Sequence, residues 1–104
     1  MSDAPDKILL VDDDEDDFII VRDLISRIRG RQYRLEWINN YGAGLTAVQR
    51  GEHDICLLDY RLGERTGLEL LRASQKFSHR PPMILLTGQG DQYSLGNKIV
   101  LFVK

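Results

Sequence analysis

The chain is short of several residue types, and each shortage removes a class of protein. It holds one cysteine, Cys56, so no disulfide can form within it. One cysteine and two histidines, His53 and His79, also supply no Cys/His metal-ligand spacing. A reduced, cytoplasmic setting is the expectation. Long apolar runs are missing: none approaches the ~20 residues that cross a bilayer. The opening "MSDAPDK" is polar and lacks a signal-peptide core, so no membrane insertion is expected. Charge of one sign is also lacking. Fourteen basic against sixteen acidic residues leave a formal net charge of −2, no basis for nucleic-acid binding through bulk charge. The arginines between Arg22 and Arg34 alternate with apolar positions and read as a solvated helix face. His53 in "GEHD" and His79 in "SHRPP" read as surface loop residues, not phosphate carriers.

What is present is globular in composition, 42% hydrophobic and 29% charged, in a length that suits one small domain over residues 1–104. The elements alternate. Lys7–Val11 is a short apolar run, as in a strand covered on both faces. Phe18, Val21, Ile25 and Ile28 recur at helical spacing, with Gly30 as a stop. Tyr33–Ile38 suits a second strand. Asn39 and Asn40 can cap a helix carrying Tyr41, Leu45 and Val48 that ends near Gly51. Ile55–Leu58 is a third strand, Gly67–Phe77 a third helix closed by Pro81 and Pro82, and Met83–Leu86 a fourth strand. The series βαβαβαβ points to a parallel sheet with helices on both faces.

In such sheets ligands bind outside the carboxyl ends of the strands. The first strand ends at Asp12 and Asp13, the third at Asp59 and the fourth at Thr87. Six acids in a row, Asp12 to Asp17, follow the first strand. Asp14 to Asp17 are explained by a helix start, where carboxylates are favourable by about 0.3–1 kcal/mol each. Asp12 and Asp13 beside Asp59 are not so explained. Carboxylates about 5 Å apart repel by roughly 3 kcal/mol at an effective dielectric of 20. They must take up a proton or bind a cation, and a few hard oxygens suit Mg²⁺ with waters retained. A calcium loop starting at Asp12 is disfavoured: its sixth position is Asp17 and its twelfth Asp23, where glycine and glutamate are wanted. A haloacid-dehalogenase-type phosphatase start is disfavoured by Asp16, where threonine or valine is wanted.

Together "KILLVDDDEDD", "DICLLDYRLGERTGLELL" and "PPMILLTGQGD" resemble the receiver domain of bacterial two-component response regulators, from about Lys7 to Asp91. The spacing carries the likeness: 46 positions from Asp13 to Asp59 and 28 from Asp59 to Thr87. The resemblance implies a flavodoxin-like doubly wound sheet of strand order 2-1-3-4-5. It implies Asp59 as phosphoacceptor, fed by a sensor histidine kinase or a phosphotransfer protein. It implies Mg²⁺ on Asp13, Asp12, Asp59 and the Arg61 backbone carbonyl, and a phosphoryl contact from the Thr87 hydroxyl. It implies a signalling domain that assists its own phosphorylation and dephosphorylation, not an enzyme acting on outside substrates. Two other readings stay open: a receiver-like docking module without phosphotransfer, and a small Mg²⁺-dependent phosphohydrolase.

The likeness weakens over residues 92–104. "IVLFVK" suits a fifth strand, with Lys104 as the family's phosphoryl-contacting lysine, but Lys104 is only 17 positions beyond Thr87. The expectation is a truncated or rearranged tail, with the fourth helix shortened and the fifth missing. Apolar side chains on one sheet face would then meet water, which predicts self-association through that face.

Overall fold

The computed structural model describes residues 4–87 and 99–103. Strand β1 (Asp6–Val11) lies at the centre, paired in parallel with β2 (Tyr33–Ile38) on one side and β3 (Ile55–Asp59) on the other. Helices cover both faces of this strand, which is why its sequence does not alternate: Leu9, Leu10 and Val11 are all fully buried. Each such side chain contributes about 1.5–3 kcal/mol of apolar burial. Strand β6 (Met83–Thr87) pairs in parallel with β3, and β7 (Ile99–Val103) closes the order β2-β1-β3-β6-β7. This is the flavodoxin-like order that the sequence implied.

One feature of the doubly wound sheet differs. β7 runs antiparallel to β6, with Thr87 opposite Ile99 and Met83 opposite Val103. A parallel return needs a crossover of about a dozen or more residues, usually a helix. An antiparallel return has no such requirement.

Three helices occur among the described residues, and local sequence sets their ends. α1 (Glu15–Ser26) starts where the Asp14 side chain accepts the Asp16 N–H at 2.8 Å. It stops before Ile28, since the Arg27 and Ile28 amides turn back to the carbonyls three residues earlier. α2 (Tyr41–Arg50) is capped by Asn40, which accepts the Ala43 N–H at 2.8 Å, and ends at Gly51 in the left-handed region, φ 68°. α3 (Gly67–Ser74) opens with a full capping box: Thr66 accepts the Glu69 N–H while Glu69 accepts the Thr66 N–H. It is shorter than the span to Phe77 that the apolar pattern suggested.

The two sheet faces are unequal. Leu9, Val11, Cys56, Leu58, Met83 and Leu85 form one face with Ala47, Val48, Leu70 and Leu71 of α2 and α3. The other face carries Ile8, Leu10, Trp37, Leu57 and Ile84 in register. α1 packs there by stacking Phe18 on Trp37, with ring centroids 4.6 Å apart. It is the only helix on that face among the described residues. Ile55, Leu57 and Ile84 remain half-buried, and Leu24 on α1 is 52% exposed.

Candidate functional site

The parallel register lines up the strand ends. Val11 pairs with Ile38 and Leu58, and Asp59 with Leu86. Asp12 therefore follows β1 at the level where Asp59 ends β3 and the backbone of Thr87 ends β6. The ladder extends one step further at two places: Asp12 N–H donates to the Ile38 carbonyl at 3.0 Å, and Tyr60 N–H to the Leu86 carbonyl at 2.9 Å. Main-chain bonds thus fix the site's backbone before any side chain contributes.

Asp12 is fully buried, and Asp59 is 7% exposed. Their carboxylate oxygens and one from Asp17 all lie within 4.8 Å of one another. Three like charges at that separation repel pairwise by about 3 kcal/mol at an effective dielectric of 20. The donor set consists of hard oxygens only, which fits a divalent cation of the Mg²⁺ type. Its own ligand distance is about 2.0–2.1 Å, so a small contraction or a retained water spans the gap.

The remaining expected ligands are placed differently. Asp13 is not one of the three that meet within 4.8 Å, and its Oδ2 accepts the Gly63 N–H at 2.9 Å. That bond ties the acid run to a hairpin the sequence did not reveal, β4 (Arg61–Leu62) against β5 (Arg65–Thr66), with Gly63 at φ 66° in its turn. Arg61 opens this hairpin, opposite Thr66. Asp14 serves as the α1 cap, and the Asp12 Oδ1 accepts the Asp14 N–H at 3.0 Å. The side chain of Thr87 and the whole of Lys104 lie outside the described residues.

Asp17 was missed because the run was read as uniform helix-start charge. A signal existed. Cα–Cβ bonds on a helix tilt toward its N-terminus, so a residue at the third helical position leans back over the strand end. Two supports of the site were also hidden in the sequence. Trp37 Nε1 donates to the Asp12 carbonyl at 2.7 Å. Gly67 packs against β3 so closely that a Cβ there would stand 2.2 Å from the Asp59 carbonyl oxygen. Its N–H donates to the Tyr60 carbonyl at 2.7 Å.

Cys56 has no place in this chemistry. It is buried among apolar side chains, and burial pushes its thiol up to about 12. His53 corrects an expectation: it is not a surface residue. Its side chain is 4% exposed, and Nε2 lies 2.7 Å from Glu36 Oε1. The turn folds back over β2, where Glu36 provides a partner.

Comparison with known proteins agrees with this geometry. The profile of the response regulator receiver domain matches residues 8–100. The acid tolerance regulatory protein ActR of Sinorhizobium medicae is 29% identical over 98 residues, covering 94% of this chain and 50% of its own length. The transcriptional regulatory protein GlrR of Escherichia coli is 31% identical over 91 residues, 88% of this chain and 20% of its own length. The chain thus spans half or less of these two relatives. Among solved structures, a CheY-like receiver domain protein from Methanospirillum hungatei superposes with a TM-score of 0.69 at 26% identity, covering 90% of this chain and 70% of that one. The non-phosphorylated HemR receiver domain from Leptospira biflexa gives 0.67 at 26% identity, over 84% and 68%. In the described residues no helix is long and apolar enough to cross a membrane.

Proposed function

Since this chain belongs to the family of response regulator receiver domains, we propose that it works as the phosphoacceptor of a two-component phosphorelay, with Asp59 taking the phosphoryl group. The observation that carries this reading is the meeting of the Asp12, Asp17 and Asp59 carboxylates within 4.8 Å at the ends of two parallel strands. In the proposed step an Asp59 oxygen bonds to phosphorus in line with the leaving group. The phosphorus–nitrogen bond of a phosphohistidine donor breaks, and its electron pair stays on the imidazole. The donor is a sensor histidine kinase or a phosphotransfer protein. Asp13, assisted by Asp12 and the Arg61 backbone carbonyl, would hold Mg²⁺ together with Asp59. The ion would supply neutralisation of the Asp59 charge and of the incoming phosphoryl oxygens. The Thr87 hydroxyl and the Lys104 ammonium take the phosphoryl oxygens in this reading, drawing the end of β6 inward as a two-state switch. The chain is a signalling domain, and its only chemistry is on itself, in the cytoplasm.

Intact-protein mass after incubation with acetyl phosphate and Mg²⁺ tests the assignment. The native chain should gain one phosphoryl group, stable in acid and labile in base, and Asp59→Asn should gain none. An equal gain in both would overturn Asp59 as acceptor. The proposal includes self-association through the less covered face, where Ile55, Leu57 and Ile84 are half-buried.

A further inference from the structure

We propose that the cleft where β1 and β2 begin docks an acidic peptide segment of a partner protein, seating one apolar side chain of that segment among arginines. The docking site stands apart from the receiver reading: the cleft lies at the strand starts, and the acids lie at the strand ends.

The cleft has a volume of about 440 Å³. Pro5, Ile25 and Ile28 supply its apolar lining, and Arg31 and Arg34 its cationic lining. A solvated helix face does not describe these arginines. α1 ends at Ser26, so Arg22 alone of the five from Arg22 to Arg34 lies on it. The others occupy the turn into β2 and β2 itself. Arg31 grips Asp6, with Nη2 at 2.6 Å and Nε at 2.7 Å from the same Oδ2, and so pins the turn to β1. Arg27, Arg29 and Arg34 are exposed and make no ion pair among the described residues. Charge here is one-sided. From Arg22 to Arg34 five arginines face Asp23 alone, a balance of +4, whereas the whole chain carries −2 and the remainder therefore −6.

Two features select the occupant. Arginine forks donate in pairs to carboxylates and are weakly hydrated, which suits them to an interface. Ile28 is the second feature. It stands beyond the helix end, where its N–H donates to the Ile25 carbonyl at 3.1 Å, and it is 49% exposed between Arg27 and Arg29. A merely solvated basic surface needs no apolar residue at its centre, whereas a docking surface has an apolar centre and a polar rim. A nucleic-acid backbone would satisfy the arginines, yet it offers nothing to Ile25 and Ile28, and the −6 of the remaining chain opposes it. A peptide with an apolar residue between carboxylates matches both parts of the cleft.

The test selects short random peptides, displayed on phage, against the full chain, and measures the enriched ones by fluorescence anisotropy. Enriched sequences should carry Asp or Glu on both sides of an apolar residue. Arg34→Glu should raise their Kd at least about tenfold by opposing a carboxylate, and Ile28→Ser about tenfold by removing the apolar centre. Arg72→Glu, the same charge reversal on the exposed surface of α3, should stay within about twofold. An unchanged Tm in each variant separates lost docking from lost folding. No enrichment, enriched peptides without acids, or equal shifts in Arg34→Glu and Arg72→Glu would overturn the docking site. So would single-stranded DNA that competes as well as the selected peptide. None of these outcomes bears on Asp59 as acceptor.

Discussion

Gly67 is the residue where the sequence said least and the structure says most. In the sequence it is a helix-opening glycine after a tight loop. In the fold its missing side chain lets α3 start against the Asp59 backbone. An alanine Cβ would meet the Asp59 carbonyl oxygen at 2.2 Å and Leu85 Cδ1 at 3.0 Å, and the carbonyl cannot rotate away as a side chain would. Gly67→Ala should therefore cost about 1–3 kcal/mol by overpacking, read as a lowered midpoint in urea. It should also slow acetyl phosphate labelling of Asp59. Unchanged stability would mean that the approach is looser than drawn. His53 and Asp17 teach the same lesson. Their partners, Glu36 and the Asp12–Asp59 pair, come from other elements, and residue type alone does not announce a distant partner.

At the scale of elements, helix starts were legible and strand direction was not. Asn40 and Gly51 bracket α2 as their chemistry predicts, because capping depends on a few adjacent residues. The direction of β7 against β6 is a matter of pairing between distant residues, which no local pattern encodes. The two-residue strands β4 and β5 are too short to carry a period. The α3 cap offers a pH test. Glu69 titrates below the usual carboxylate range, chiefly because it accepts the Thr66 backbone N–H, with Arg65 also assisting. A depressed folded value means the cap is intact above the ordinary value of 4.5 and weakens as pH falls below it. Protection against hydrogen exchange at the first turn of α3, taken relative to the intrinsic rate at each pH, should fall in acid, while Thr66→Ala, which removes the hydroxyl acceptor of the Glu69 N–H, should cost about 1 kcal/mol at neutral pH. Acid-insensitive protection in that turn would contradict the role given to Glu69.

Over the whole molecule, the strand order and the meeting of Asp12 with Asp59 were readable, because burial on both faces writes a continuous apolar run and chain order then restricts the topology. Among the described residues the two faces are unequal, with Ile55, Leu57 and Ile84 half-buried on the face that carries α1 alone. A second copy seated beside α1 is the proposed cover. Sedimentation velocity should show a weight-average mass that rises with concentration. Leu24→Asp, which charges the exposed rim of that face, should return the chain to a monomer. A native chain that stays monomeric throughout a wide dilution series would end that proposal.

The crowding of Asp12, Asp17 and Asp59 makes one corner of the fold a standing load. The layers beneath it are complete without it, since Leu9, Val11 and Leu58 are sealed whatever the acids do. A scaffold sealed in this way leaves its rim open to charged groups that add nothing to the core, and it is there that the proposed phosphoacceptor stands.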